Sequence, residues 1–162
     1  MKKILFGLIA TVLFSGMSFG QKMSADAEKK LISSQMVALV NVSKAFYVRG
    51  QSYDDFIQVM MIPSPTFPSQ DLLFKKVHSY LTNNTAECDI MKADNSILLT
   101  FATDLSKNPP NQSTLEKAHS NPPKKWWMIA INWIVNGVAT IITTQNGLPP
   151  MPPIDLFPGN AP

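Results

Sequence analysis

Histidine and cysteine are nearly missing from this chain of 162 residues, which has His78, His119 and the single cysteine Cys88. Neither histidine has a second ligand-type residue at the i, i+4 spacing that places two ligands on one helical face, so no metal site is expected. One cysteine cannot form an internal disulfide. It is left with an intermolecular bridge or, more simply, a role as a small buried side chain. Cys88 with His78 is the only nucleophile and base that composition offers cheaply, and no motif joins them. There is no glycine-rich phosphate loop, haem attachment motif or nucleophile elbow, and no cofactor is implied. Internal repeats, sustained heptads and convincing strand alternation are also absent, which argues against solenoid, coiled-coil and β architectures.

Net charge is scarce as well, once the first 20 residues are set aside. Lys2 and Lys3, the apolar run from Ile4 to Phe14 and the small residues ending at Gly20 read as a secretory signal cleaved after Gly20. The product is expected outside the cytoplasm, periplasmic or extracellular, and no cysteine follows the cleavage region to accept a lipid. Without Lys2 and Lys3, 12 basic side chains face 11 acidic ones. No basic stripe remains to follow a phosphate backbone, so nucleic acid is not an expected partner. Residues 21–148 are long enough for one domain that buries about two thirds of its unfolded surface. Residues 149–162 form a separate proline-rich tail.

What is present is helical periodicity. Leu31, Ile32, Met36, Leu39, Val40, Phe46 and Tyr47 share one side of a helix expected from Ser24 to Val48 and stopped by Gly50. Ser52 caps a second helix, with Asp54 and Asp55 in its first turn and Phe56, Ile57, Met60 and Met61 inward. Pro63 to Pro68 should run extended. A third helix starts at Ser69 with Leu73, Val77, Tyr80 and Leu81 on its narrow apolar face. From Ala86 to Lys107 the apolar residues again share a face, interrupted by Asp94-Asn95-Ser96, which compete with the helical backbone and favour a break capped by Asp94. Ser113-Thr-Leu-Glu116 reads as a capping box for a short helix ending near Ser120. The expected fold is all-α, a compact bundle of about five or six amphipathic helices with a proline-rich C-terminal tail. Six of the last 15 residues are proline, so the tail is either a strap docked through Met151, Ile154, Leu156 and Phe157 or a disordered end.

The stretch from Lys124 to Thr144 holds all three tryptophans and the longest apolar run after the leader. Asn132, Asn136, Thr140, Thr143 and Thr144 form an uncharged polar stripe, opposite Ile131, Ile134, Val135, Val138, Ile141 and Ile142. Trp126 and Trp133 stand at the border of that stripe. Nineteen residues from Trp126 to Thr144 rise about 28 Å, enough to span a bilayer. However, Asn132, Asn136 and Gly137 lie mid-segment, and the flanking lysines would lie outside, against the positive-inside bias. A core helix, with all three tryptophans packed by the other helices, is the preferred reading.

Two carboxylates, Glu87 and Asp94, would project from one side of a continuous helix, as the acid and base of a hydrolase do. Solvation and capping account for them without chemistry. The sequence therefore favours an exported, non-enzymatic protein that binds a protein or peptide, as an immunity protein or inhibitor does, with Trp126, Trp133, Asn132 and Asn136 as candidate binding residues. The rival readings are a membrane-active effector using the helix at 124–144 and a small hydrolase using Glu87 and Asp94.

Overall fold

A computed structural model describes residues 22–60, 67–108, 125–147 and 153–157. Six helices account for most of them: α1 (Ala25–Ser43), α2 (Tyr53–Met60), α3 (Pro68–Thr82), α4 (Glu87–Lys92), α5 (Ser96–Lys107) and α6 (Trp126–Gln145). The described residues contain no strand, and the protein is an all-α bundle. The leader, residues 61–66, the Ser113–Ser120 helix and His119 lie outside the described residues.

Local chemistry sets most helix ends. Ser24 begins α1 by accepting the Ala27 N–H at 3.2 Å, with Asp26 and Glu28 in the first turn where the helix dipole favours acids. Ser52 begins α2 the same way, accepting from the Asp55 N–H at 3.1 Å and donating to the Asp55 carboxylate at 2.6 Å. Pro68 opens α3, one residue before the expected Ser69, at a position where its missing N–H costs nothing. The break between α4 and α5 falls where the Asp-Asn-Ser run places it, but one residue later than expected: Asn95, not Asp94, is the N-cap of α5, and Asp94, after the extended Ala93, accepts the Ser96 N–H through Oδ1 at 2.9 Å.

The first helix departs from expectation, ending at Ser43 rather than Val48. Phe46 and Tyr47 leave the helical path to pack against other elements. Phe46 stacks on Phe56 at 5.5 Å and meets Trp127 at 4.4 Å, while Tyr47 sets its edge against Phe56 and His78. Aromatic burial across three helices outweighs one more turn of exposed helix. Gly50, at φ 81, ends the connecting turn rather than the helix.

The core is continuous. α1 is central, touching α3, α4, α5 and α6, and α6 packs on α1 and α5. Met36, Leu39, Phe56, Leu73, Phe74, Val77, Leu98, Phe101, Ile131 and Val135 are essentially inaccessible. Phe157 from the tail joins the same core, so the segment 153–157 is a docked strap. The rest of the tail lies outside the described residues.

Candidate functional site

α6 presents three differently occupied faces. The first is core: Trp127, Met128, Ile131, Ile134, Val135, Val138 and Ala139 are buried against α1 and α5. Trp127 is 4% exposed, and its ring meets Phe157 edge-on at 5.7 Å. α6 is also the one described helix long and apolar enough to cross a membrane, but half of its most apolar stretch is inside the fold.

The second face carries Asn132 and Asn136, one turn apart, and the tail lies along it. The Asn136 amide pairs with both backbone groups of Ile154, donating to its carbonyl at 2.7 Å and accepting its N–H at 2.8 Å. Asn132 accepts the Leu156 N–H at 2.9 Å and donates to the Asp155 carboxylate at 2.8 Å. That carboxylate also accepts the Phe157 N–H at 3.1 Å, folding a small turn that aims Phe157 at Trp127. Ile154, Leu156 and Phe157 are all buried. The Asn132–Asn136 part of the stripe is thus covered by the segment 153–157, which runs antiparallel to α6.

The third face corrects the expectation that all three tryptophans are packed. Trp126 is 52% exposed, Ile129 45% and Trp133 75%. At i, i+3 and i+7 they fall within a sector of roughly 60°. The reason is geometric: α6 is apolar around most of its circumference, and α1, α5 and the tail cover only part of it. The remaining sector carries the two indoles.

The carboxylates of the rival hydrolase reading, Glu87 and Asp94, do not share a helical face, because the helix breaks between them as the Asp-Asn-Ser run favoured. Glu87 is exposed in the first turn of α4 and accepts the Asn41 amide at 2.8 Å. Asp94 is exposed, and its carboxyl is held below the usual carboxylate range, first by the Ser96 N–H. Neither is desolvated in the way that makes a general acid. Cys88 is exposed, not the buried side chain expected, because only Ile90 of the six-residue α4 reaches the core. His78 instead lies among Tyr47, Tyr53 and Phe56, with its Nε2 donating to the Gln51 carbonyl at 2.8 Å. No group of three or more metal-capable side chains occurs among the described residues.

Two polar clusters escaped sequence reasoning. Asn95 is buried after the α4–α5 break. It donates to the Ile90 carbonyl at 2.7 Å and to Ser33 Oγ at 3.3 Å, and accepts the Tyr80 hydroxyl at 3.0 Å, joining three helices. Burial raises the Tyr80 pKa, and the nearby Asp94 charge adds to the shift. Tyr53 donates to Asp71 at 2.8 Å while Lys75 pairs with the same carboxylate at 2.7 Å. Burial and then Asp71 push the Tyr53 phenol well above its ordinary pKa. The Asp71 carboxyl is lowered, chiefly by Lys75. A polar residue directly after a helix break was the only signal for Asn95, and nothing local marked Tyr53.

No protein-family model, curated protein or solved structure matches the chain.

Proposed function

We propose that this is an exported, non-enzymatic binding protein whose outer α6 face docks into an apolar groove on a protein partner. The observation that carries the reading is the exposed strip of Trp126, Ile129 and Trp133 on a helix whose opposite side is locked in the core. Helices that bind in grooves present anchors at this spacing, and tryptophan is among the residues most often dominant at interfaces. An aromatic side chain buries about 150–250 Å². At about 25 cal/mol per Å², covering the exposed part of Trp133 is worth roughly 3 kcal/mol. The leader-like residues 1–20 support export, and the near balance of charge beyond them supports a protein rather than a nucleic acid partner.

A membrane-active reading draws on the length and apolarity of α6. Against it, the helix cannot leave the bundle without exposing Trp127, Ile131, Val135 and Val138 together. The test compares the wild type with Trp133→Ser. A protein captured by the wild type, purified and titrated against both, should bind the variant about 30-fold more weakly, as loss of a 2 kcal/mol anchor implies. Both proteins should keep the same tryptophan emission with phosphatidylcholine and phosphatidylglycerol vesicles. Equal binding by the variant refutes the role of the strip, and a vesicle-induced blue shift lost in Trp133→Ser transfers the strip to the membrane.

A further inference from the structure

Asn-Gly occurs twice in the chain, at Asn136-Gly137 inside α6 and at Asn146-Gly147 just past its end, in opposite circumstances. An asparagine before glycine is prone to lose its side-chain amide, because the next backbone nitrogen can attack the asparagine Cγ and glycine has no side chain in the way. That reaction needs a free side-chain amide, a backbone nitrogen released from hydrogen bonding, and rotation about the bonds that join them.

Asn136-Gly137 meets none of these conditions. The Asn136 amide donates to the Asn132 and Ile154 carbonyls at 2.8 and 2.7 Å and accepts the Ile154 N–H at 2.8 Å. Gly137 lies in the interior of α6, where its N–H belongs to the helical ladder. Asn146, by contrast, is the exposed C-cap of α6, with φ −87 and ψ 8, and its side chain makes no hydrogen bond among the described residues. Gly147 is exposed, at φ 70, and its N–H keeps one bond, to the Thr144 carbonyl at 3.1 Å. The last turn of a helix opens at almost no cost, whereas an interior turn packed on the core opens only with much of the fold. Crowding does not separate the two pairs. Beyond the helix's own backbone, neither glycine has a neighbour within 4 Å of where a Cβ would stand.

We propose that Asn146 is a spontaneous modification site, at which the folded protein converts asparagine to aspartate and isoaspartate while Asn136 is preserved. The Gly147 nitrogen gives up its proton to solvent and attacks the Asn146 Cγ. The new N–Cγ bond closes a succinimide ring as the Cγ–Nδ2 bond breaks and ammonia leaves. Water then opens the ring. Cleavage of the N–Cγ bond leaves aspartate. Cleavage between that nitrogen and the main-chain carbonyl carbon of residue 146 leaves isoaspartate, whose backbone runs through the side chain. Either product places a carboxylate at the C-terminus of α6, where the helix dipole disfavours negative charge.

The intact protein, held at mildly alkaline pH and physiological temperature, tests this by peptide mapping at both sites, with enzymatic isoaspartate methylation as a second readout. Asn146 should gain the mass difference between amide and acid and accept the methyl label. Asn136 should react at least about tenfold more slowly, since each tenfold corresponds to about 1.4 kcal/mol of local opening. In guanidinium chloride, where only sequence distinguishes them, the two pairs should react at similar rates. Asn146→Gln keeps an amide that would have to close a larger ring, and it should abolish labelling at position 146 in a protein that still folds. Folded protein that modifies both sites alike overturns the proposal. So does an Asn146 that stays intact in buffer while reacting in guanidinium chloride.

Discussion

Replacing Trp127 and Trp133 separately by alanine should give opposite results from the same helix. Trp127 is 4% exposed, with Phe46 at 4.4 Å and Phe157 at 5.7 Å, so its removal leaves a cavity lined by those two rings. Truncating a buried aromatic to alanine costs about 3 to 5 kcal/mol. At about 2 to 4 °C per kcal/mol for a chain of this size, the thermal midpoint should fall by roughly 6 to 20 °C. Trp133 is 75% exposed, and surface substitutions usually stay within about 0.5 kcal/mol, or roughly 2 °C. Urea unfolding followed by far-ultraviolet circular dichroism measures both, with an unchanged slope confirming that the compactness of the end states is preserved. Fluorescence supplies a second readout: Trp133→Ala should remove solvent-exposed emission and shift the remaining spectrum to the blue, and Trp127→Ala should do the reverse. Equal destabilisation by the two substitutions would refute the division of α6 into core and exposed faces.

Asn95→Ala should destabilise by about 3 kcal/mol or more, because the Ile90 carbonyl and Ser33 hydroxyl lose a buried partner and such groups cost about 1 to 3 kcal/mol each. A urea midpoint equal to wild type would remove Asn95 from its place as the joint between α1, α3 and α4. Asp94 has a folded pKa below its unfolded value, so the stability it contributes is present above about pH 4 and is lost as pH falls through the folded value. In an Asp94→Asn variant the new side-chain amide still offers an oxygen to the Ser96 N–H but does not titrate. The difference in urea midpoint between wild type and variant should therefore shrink between pH 5 and about pH 2, and a difference constant with pH would sink the assignment.

The parts of the fold that were legible rest on chemistry within one turn. Ser24 and Ser52 cap because a hydroxyl three residues before an N–H meets it with little loss of freedom, and Asp94 breaks a helix by the same local competition. What was hidden depends on partners far along the chain. The end of α1 at Ser43 is decided by Phe56, Trp127 and His78, none of them within eight residues of Phe46 or Tyr47. Cys88 is exposed because α4 is short and touches the core only through Ile90, a matter of packing that cysteine's average burial does not foretell. For the candidate site, periodicity separated the Asn132–Asn136 stripe from the buried face of α6 but could not say which apolar sector would find a neighbour, so the exposure of Trp133 was missed.

The stripe itself shows why its polarity carried an ambiguous meaning. A polar face on an amphipathic helix ordinarily faces water, where lysine or glutamate serves as well as asparagine. Here the face meets a backbone, and a primary amide is suited to that because it offers one donor group and one acceptor, the complement of a peptide unit. A charged side chain in place of Asn136 could answer only half of Ile154. The amides nevertheless contribute register more than energy. Both asparagines are only partly buried, and water can replace the bonds they make, which leaves a net value of about 0.5 to 1.5 kcal/mol for each. Ile154, Leu156 and Phe157 are buried, Phe157 completely, and a fully buried side chain of this size is worth roughly 1.5 to 3 kcal/mol. The strap is therefore positioned by Asn132 and Asn136 but held by its apolar residues, above all by Phe157 against Trp127. The amides of this face are thus engaged by the chain's own residues 154–157.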